Sequence, residues 1–520
     1  MIPGDDPSGP AKPISGGPAQ PNDIDEGDHG DIGRFAMASR AHVVIDAAAY
    51  FELAQSAMLR ARQRIFMLGW DFDTRVRLGP GRRWWNRPNP ARHPARLGAF
   101  VIWLVKRNHK LQVRVLKWNF GALKFVFRGT MIVDLIRWWW ASGVDFKFDS
   151  AHPIGCSHHQ KIVIIDDRFA VCGGIDMTTD RWDTPDHLDD DPGRTRPNGK
   201  PYGPWHDVTM VVEGDAARAL GDLGRARWAR AGGEPLEPCL PQPQTPWPGS
   251  LRAEFRDVEI GIARTVAKYG GEDEVREIEE LFARQIAASR RFIYAESQYF
   301  ASRRIAEAMA LRLARPDPPE ILLINPLNAD GWLQQASMDT ARVRLLHAVS
   351  EDDLQSRLHV YVPYTAGGTP IYIHAKLLIV DDELLRVGSA NMNNRSMGLD
   401  TEADLYIDTA RPPNNRGEVR AAIRRLRIRL LAEHCGVIDE VVAQGLEKHG
   451  SMADMINSLP ASGLSSGKRL APFHLRPLSD REKAVADSTL FDPETAGEMF
   501  EPMRRRRGLF RRGGVLRRPK

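Results

Sequence analysis

The chain has 520 residues, of which 42% are hydrophobic and 27% charged, and its net charge is +5. This balance is typical of a soluble globular protein and excludes fibrous and wholly disordered classes. The longest apolar run covers residues 97–105, about half of the ~20 residues that a transmembrane helix needs, so we expect no membrane span. The four cysteines lack the spacing of a metal or redox motif, and we expect reduced thiols.

The N-terminus has no basic stretch followed by an apolar core, which a secretory signal would show. We therefore expect a cytoplasmic protein, although an unconventional export route would leave no mark in the sequence. A housekeeping enzyme and an exported effector would look alike at this level.

The positive charge is concentrated at the C-terminus. Nine basic residues and no acidic ones lie between Arg504 and Lys520, so the rest of the chain is net negative. This tail also contains Leu509 and Phe510, a mixture that suits peripheral contact with an anionic membrane surface, where each cation adds about 1 kcal/mol. Nucleic acid would attract the same tail through counterion release, and a disordered solubilising tail is the simplest alternative.

Residues 1–34 are rich in Gly, Pro and Asp, and we expect them to be disordered. In residues 47–73 apolar side chains at helical spacing precede a continuous apolar run, which predicts a helix leading into a buried strand. Residues 278–300 repeat this order when Ile65 is aligned with Ile293. The strand-like segments "LQVRVLKW" and "EILLINPL" then follow in the same places, so we infer an internal duplication.

The Pro-rich stretch between the repeats is typical of a connection. A polar segment, 182–204, has the composition of a surface loop, and its length makes it a candidate for a functional one. Strands alternate with helices in both halves, which predicts an α/β fold with mainly parallel or mixed sheets. We divide the chain into an N-terminal half, a connection, a C-terminal half and an extended C-terminal region: 35–231, 232–250, 251–447 and 448–520.

Each half contains a histidine motif. In "SHHQKIVIID" His159 and Lys161 lie two residues apart, so on a strand both side chains project from the same face. That pair could offer one phosphate a nucleophile or proton donor together with a cation. The apolar run "IVII" predicts a strand buried on both faces, of the kind usual in parallel sheets, and Asp166 follows where this strand ends.

The second copy, "IHAKLLIVDD", contains His374, Lys376 and Asp381 at the same spacing. Each motif then continues with small and polar residues that could approach an anion closely, because glycine lets the backbone come near and Ser and Asn offer neutral hydrogen bonds. These are Gly173, Gly174 and Asp176 in the first copy, and Gly388, Ser389 and Asn391 in the second. A single match would indicate a core or capping histidine, but two matches in duplicated halves favour an active site.

The segments 158–176 and 374–396 resemble the paired HKD motifs of the phospholipase D superfamily. The sequences "PWHDV" (204–208) and "DTE" (400–402) are similar to those of the eukaryotic-type phospholipase D and bacterial transphosphatidylase branch. The resemblance covers most of residues 42–435. It implies an α/β fold of two similar units related by a pseudo-twofold axis, with mixed sheets flanked by helices and the active site between the units.

The resemblance further implies a reaction that needs no metal and no cofactor. One histidine forms a covalent phosphohistidine and the other protonates the leaving alcohol. We assign His159 as the nucleophile and His374 as the acid, although the sequence does not distinguish the two. Lys161 and Lys376 are expected to hold the phosphate oxygens.

Asp166 and Asp381 are expected to orient the histidines or support them electrostatically, as carboxylates do in other histidine-based sites. The other residues expected to bind substrate are Gly173, Gly174, Asp176, Ser389, Asn391, Glu296 and Gln298.

We expect the substrate to be a phospholipid, cleaved to phosphatidic acid and a free headgroup with transfer to alcohols as a second outcome. The branch resemblance, the basic tail and the aromatic-rich segment 116–140 favour lipid, although that segment could equally be a buried helix and strand. The alternatives are a cardiolipin-synthase-like transferase, a nuclease of the same superfamily, and a catalytically inactive lipid-binding scaffold. Nucleic acid is the less expected partner, because both motifs share one chain and a monomer would complete the site.

Overall fold

The computed structural model describes residues 32–79, 93–118, 131–329, 338–460, 467–475 and 477. The strands of the first half are β1 (Arg34–Ile45), β2 (Arg64–Gly69), β3 (Gln112–Trp118), β4 (Val144–Asp149), β5 (Ile162–Ile165), β6 (Phe169–Gly173), β7 (Trp205–His206) and β8 (Val208–Gly214). Those of the second half are β9 (Phe255–Val266), β10 (Val275–Arg276), β11 (Phe292–Ser297), β12 (Glu320–Ile324), β13 (Leu358–Tyr364), β14 (Tyr372–Ile373), β15 (Lys376–Val380), β16 (Leu384–Gly388), β17 (Glu402–Asp408) and β18 (Arg469–Pro472).

The described helices are α1 (Ala47–Met58), α2 (Leu97–Arg107), α3 (Met131–Trp140), α4 (Asp215–Arg230), α5 (Glu277–Ala288), α6 (Arg303–Leu313), α7 (Thr340–Asp352), α8 (Asn394–Gly398), α9 (Gly417–Cys435), α10 (Asp439–His449) and α11 (Met452–Ser458), with a 3₁₀ turn at Pro412–Asn414. In these parts of the chain no helix combines the length and the apolar character needed to span a bilayer. The predicted helix-to-strand units are present as α1–β2 and α5–β11.

In the described parts of the chain, one 16-stranded mixed sheet contains strands of both halves. From its centre one side has the order β1-β8-β6-β5-β2-β3-β4, and the other has β9-β17-β16-β15-β11-β12-β13-β18. On both sides the first strands pair antiparallel and the last three core strands pair parallel. The two halves therefore have the same topology, and the antiparallel pair β1·β9 joins them into a single sheet.

The motif strands lie in the middle of each half. β5 pairs with β2 so that Ile165 faces Ile65, and β15 pairs with β11 so that Val380 faces Ile293, in agreement with the alignment made from the sequence. Both motif strands are antiparallel to both neighbours, so the parallel arrangement expected for them is wrong. Their continuous apolar character has another cause: alternate residues pack into cores on the two faces of the sheet.

These cores differ between the two faces. On one face α4 and α9 cover a single apolar cluster that runs through both halves. On the other face α1 and α2 cover a cluster in the first half, and α5, α6 and α7 cover a separate one in the second. The continuous cluster binds the halves together, because burial of apolar area is the main stabilising contribution to such packing.

Several expectations about the chain ends and loops need correction. The C-terminal region is not simply extended, because residues 452–458 form α11 and residues 469–472 form β18 on β13. Ordered structure begins before residue 35, since Ile32 is buried. The segments 1–31 and 504–520, for which disorder and membrane contact were predicted, lie outside the described residues.

Candidate active site

The histidine backbones are held by the opposite half of the molecule. The N–H of His159 donates to the carbonyl of Thr401 at 2.9 Å, and the N–H of His374 donates to the carbonyl of His206 at 2.8 Å. β7 and β14 form a two-stranded parallel pair next to the second contact. The two motifs therefore meet where the halves contact each other.

Each imidazole is also paired with a carboxylate from the opposite half. Nδ1 of His159 lies 3.0 Å from Oε1 of Glu402, and Nδ1 of His374 lies 2.6 Å from Oδ2 of Asp207. Asp207 and Glu402 occupy equivalent positions, immediately before β8 and at the start of β17. With Nδ1 engaged, Nε2 is the nitrogen of each ring that remains available to a substrate. Because each carboxylate comes from the opposite half, each histidine depends on that half for its Nδ1 partner.

Asp166 and Asp381 have a different role from the one predicted. The carboxylate of Asp166 accepts the backbone N–H groups of residues 62, 63 and 64 at 2.7–2.8 Å. That of Asp381 accepts those of residues 290, 291 and 292 at 2.7–2.8 Å. Both aspartates stand at the end of the motif strand opposite the histidine, so the expectation that they orient the imidazoles is wrong. They secure the entry into β2 and β11.

The two lysines have unequal surroundings. Nζ of Lys161 lies 3.1 Å from Oδ2 of Asp176 and donates to the carbonyl of His159 at 2.8 Å. Nζ of Lys376 donates to the carbonyl of His374 and is 3.4 Å from Oε1 of Gln298. Burial lowers the pKa of Lys376 to about 7, with a further lowering by Lys161, and Asp207 opposes this.

Both histidines lie in a buried, cationic environment. Burial holds the pKa of His159 well below its usual value, and the charges of Lys161 and Lys376 lower it further. The pKa of His374 is also held well below its usual value, by burial and then by Lys376, Arg181 and Lys161. Because lysines of both motifs influence each imidazole, the two motifs form one site. Such a site favours an anion, whose charge would offset that of the lysines.

The carboxylates behind the histidines are fully buried, which disfavours their charged forms. Burial raises the pKa of Glu402 to about 8, even though Ser389 Oγ donates to it at 2.5 Å and Ser396 Oγ at 2.7 Å. Burial raises the pKa of Asp207 to about 7. Ser389 was predicted to bind the anion, but its hydroxyl instead supports Glu402.

The predicted glycines make room for these carboxylates. A Cβ on Gly174 would lie 2.1 Å from Oδ1 of Asp207, and one on Gly173 would lie 2.5 Å from the Cα of Thr209. Neither position can hold a side chain without displacing the strand that carries Asp207. Both glycines therefore pack closely behind the site, and the approach of their backbone to substrate stays a prediction.

Three other predicted binding residues have different outcomes. Glu296 is fully buried and accepts hydrogen bonds from Nε2 of His206 at 2.9 Å and Nε2 of His434 at 3.0 Å, so its assignment to substrate binding is wrong. Gln298 touches Lys376 and donates to Tyr372 Oη at 2.9 Å, which places it at the site. Asn391 is buried, and its Oδ1 has no hydrogen-bond partner, so its contact with an anion stays a prediction.

A family model described as phospholipase D matches residues 348–457, which contain the second motif. Phospholipase D A of Dictyostelium discoideum is 25% identical over 357 residues, covering 56% of this chain and 28% of that protein. Phospholipase D alpha 1 of Nicotiana tabacum is 26% identical over 443 residues, covering 61% of this chain and 54% of that protein. The family model and these relatives support a relationship to the phospholipase D superfamily.

Among solved structures, phosphatidylserine synthase of Haemophilus influenzae Rd KW20 aligns with a TM-score of 0.50 at 12% identity, over 82% of this chain and 96% of the other. At that identity the likeness supports the fold alone. The chain spans about half, or less, of the length of the phospholipase D relatives given above. Its activity and substrate therefore have to be argued from its own residues.

Aromatic rings flank both histidines. Trp70 lies 6.3 Å from the ring of His159 and stacks on Trp118 at 5.8 Å. Trp205 lies 5.1 Å from the ring of His374 and stacks on Tyr372 at 4.5 Å. These walls lower the local dielectric and so strengthen the action of the lysines on a bound anion.

Sequence reasoning missed Asp207 and Glu402 as partners of the histidines, although both were within sequences noted for their resemblance. The signal that could have identified them is their equivalent position in the two halves. Each acidic residue precedes or begins the strand that pairs with the glycine-bearing strand of its own half, in register at Gly173↔Thr209 and Gly388↔Asp404. Asp207 and Glu402 each contact a histidine of the opposite half, and this contact depends on how the two halves pack. The sequence pattern of one strand contains no information about that packing.

Proposed function

We propose that the protein is a phosphodiesterase of the phospholipase D type, which hydrolyses a glycerophospholipid to phosphatidic acid and a free headgroup. The observation that supports it best is the crosswise arrangement of His159 with Glu402 and His374 with Asp207, beside two lysines in a buried, aromatic-walled site. Two imidazoles with Nδ1 engaged can act from Nε2 on opposite sides of one phosphorus.

In the first step, the lone pair of Nε2 of His159 forms a bond to phosphorus as the bond from phosphorus to the headgroup oxygen breaks. His374 gives its Nε2 proton to that oxygen, and the headgroup leaves as an alcohol. The phosphatidyl group is then bound to His159. Burial and the lysines hold the pKa values of both imidazoles low, so His159 has the lone pair for attack. His374 takes up its Nε2 proton when the phosphate binds, because the charge of the phosphate offsets that of the lysines.

In the second step, water gives a proton to His374 while its oxygen bonds to phosphorus and the bond to His159 breaks. The products are phosphatidic acid and the restored histidine pair. An alcohol in place of water gives a phosphatidyl alcohol, which would be transphosphatidylation. Lys161 and Lys376 stabilise the negative charge on the phosphoryl oxygens in both steps.

A phospholipid is favoured over a nucleic acid by the surface of α3 as well as by the relatives. Trp138 is buried, with Nε1 donating to the carbonyl of Gly98 at 3.0 Å, whereas Ile136, Trp139 and Trp140 are 53%, 83% and 80% exposed. Exposed tryptophan and isoleucine with the neighbouring, largely exposed Arg137 are characteristic of surfaces that rest in the lipid interface.

The decisive experiment is incubation of the purified protein with vesicles of phosphatidylcholine, phosphatidylethanolamine and phosphatidylglycerol in the presence of ethanol. We expect phosphatidic acid and phosphatidylethanol from the wild type and neither from His159→Ala. Phosphatidic acid alone would restrict the proposal to hydrolysis. No lipid product together with cleavage of DNA or RNA would replace the lipid by a nucleic acid, and inactivity on both would favour the scaffold.

A further inference from the structure

A second cluster of ionisable side chains lies behind the active site. It consists of Asp46 between β1 and α1, His187 in the segment 182–204, His206 in β7 and Glu433 in α9. The side chains of Asp46, His187 and His206 are fully buried and that of Glu433 is 5% exposed. The reaction proposed above uses none of the four.

The inward-facing atoms of the four residues lie close enough together to hold one metal ion. Nε2 of His187 lies 3.2 Å from Oε1 of Glu433 and 3.6 Å from Oδ2 of Asp46. Nδ1 of His206 lies 2.8 Å from Oε1 of Glu433 and 3.3 Å from Oδ1 of Asp46. Bonds of about 2.0–2.2 Å to zinc in a tetrahedron place neighbouring ligand atoms about 3.3–3.6 Å apart.

The outer nitrogen of each ring is already held by a carboxylate. Nδ1 of His187 is 3.0 Å from Oδ2 of Asp183, and Nε2 of His206 is 2.9 Å from Oε2 of Glu296. A proton on the outer nitrogen leaves the inner nitrogen as a lone pair directed at the cluster. Metal-binding histidines show this carboxylate–histidine arrangement, because it sets the tautomer and raises the basicity of the ligating nitrogen.

Two of the inner atoms lack the hydrogen bonds that their burial calls for. Oδ2 of Asp46 and Nδ1 of His206 are buried and make no well-oriented hydrogen bond, although Nδ1 of His206 lies 2.8 Å from Oε1 of Glu433. Buried polar atoms are almost always satisfied. A cation between these atoms would satisfy both, and it would also offset the carboxylates gathered here.

We propose that Asp46, His187, His206 and Glu433 bind one divalent transition-metal ion, with zinc as the best fit. Two imidazoles and two carboxylates form a ligand set suited to zinc, and a fully protein-bound tetrahedral ion has a structural role. The reaction at His159 and His374 does not involve this ion. A surface cleft lined by Ile45, Pro185 and Lys468, among others, reaches Glu433 and provides a route for entry.

Zinc would fix the part of the active site that depends on both halves. Asp46, His187 and His206 belong to the first half and Glu433 to the second, so one ion would link them. His206 directly precedes Asp207, whose carboxylate is the partner of His374. The backbone carbonyl of His206 also accepts the N–H of His374. The ion would also secure the segment 182–204, which was expected to be a surface loop but has the buried side chains Asp183 and Arg194.

The competing explanation is a proton in place of the metal. Protonated His187 and His206 would form ion pairs with the same carboxylates, and the pKa of His187 is raised to about 9, with Asp46 the main group that overcomes the effect of burial. The two explanations differ in metal content and in the response to added metal, neither of which requires knowledge of the enzyme's substrate.

The test uses the full chain, purified without a polyhistidine tag. Mass spectrometry of the metals is expected to find about one zinc per chain, and removal by dipicolinate is expected to lower Tm, with recovery on addition of ZnCl₂ but not MgCl₂. Cobalt in the site is expected to show the strong visible absorption of a tetrahedral ion. A metal-free chain whose Tm is unchanged by zinc, cobalt and chelator would overturn the proposal in favour of protonated histidines.

Substitutions of single ligands test whether the zinc binds at these four residues. Glu433→Gln and His187→Gln are expected to lose zinc and the Tm response to it. His434→Gln is the matched control, because His434 is an adjacent buried histidine whose Nε2 bonds to Glu296 and which is not among the four ligands. Zinc retained in Glu433→Gln and His187→Gln would contradict this ligand set, and the wild-type measurement stands if a variant does not fold.

Discussion

The two halves share the same strand order but supply different chemistry to the site. In the first half Lys161 is 3.1 Å from the carboxylate of Asp176. In the second half the equivalent residue of the motif is Asn391, and Nζ of Lys376 lies 3.4 Å from the neutral amide oxygen of Gln298. The site is therefore symmetric in backbone and asymmetric in charge.

The histidines differ in the same way. The side chain of His159 is 15% exposed and contacts the carboxylate of a glutamate, whereas that of His374 is 6% exposed and contacts the carboxylate of an aspartate. A duplication places equivalent atoms on both sides of a phosphate, but a reaction with one nucleophile and one acid needs the two sides to differ. Substitutions at a few positions can provide that difference without changing the fold.

The largest effect is expected from removing the nucleophile. His159→Ala should lower activity at least about a thousandfold with any headgroup. His374→Ala should be as inactive with choline as leaving group, but should still release a stoichiometric burst of p-nitrophenol from phosphatidyl-p-nitrophenol, which needs no proton. Rapid-mixing absorbance measures the burst. A burst from His159→Ala and none from His374→Ala would exchange the two roles.

A smaller loss is expected at the carboxylate behind the nucleophile. Burial raises the pKa of Glu402 to about 8, so its carboxyl becomes charged only as the imidazole becomes cationic. Glu402→Gln keeps the shape of the side chain but cannot ionise to stabilise that cation, so we expect kcat to fall about a hundredfold or more. KM should change little, since Glu402 does not touch substrate. Glu402→Asp should recover part of the rate. An unchanged kcat in Glu402→Gln would mean that the contact is only structural.

Asp381 should behave differently from Glu402 although both are acidic residues of the same half. Asp381→Ala leaves three N–H groups at the start of β11 without their acceptor, which we expect to lower the free energy of unfolding by about 2–4 kcal/mol. Activity per folded molecule should change little. Urea unfolding and kcat on the same samples separate the effects, and Asp166→Ala is the matched variant in the first half. Loss of kcat without loss of stability would restore the catalytic role first predicted.

The smallest effect expected is a shift in pH dependence. The pKa of Lys376 is lowered to about 7, so this lysine loses its charge as the pH rises through that value, and kcat/KM should fall on the alkaline side. Asn391→Asp would give Lys376 the carboxylate that Lys161 already has, and should move the alkaline limb up by about one pH unit. Lys376→Arg should move it further, since arginine stays charged. An alkaline limb that neither variant moves would show that another group controls it.

Much of the fold could be predicted because the duplication repeats local patterns. Helical spacing before an apolar run predicted α1–β2 and α5–β11, and the alignment of Ile65 with Ile293 agrees with the register of the sheet. The antiparallel setting of the motif strands could not be predicted, because an apolar run shows burial on two faces and not the direction of its neighbours.

The site residues divide in the same manner. His159, Lys161, His374 and Lys376 could be found from spacing, since a two-residue interval places side chains on one face of a strand wherever that strand lies. The roles of Asp166 and Asp381 could not, because a carboxylate at a strand end serves backbone N–H groups or an imidazole with equal ease. The sheet shows that each accepts N–H groups at the entry of its neighbouring strand.

By itself, then, the sequence determined the duplicated α/β units and the pair of His-Lys motifs, because these depend on periodicities within one segment. Only the tertiary structure decided which carboxylate supports which histidine. Glu402 and Asp207 act across the contact between the halves, more than 160 residues away from their partners in the chain. That pairing follows from the junction of β1 with β9 and the apolar core shared by α4 and α9, which arise only when the two halves pack together.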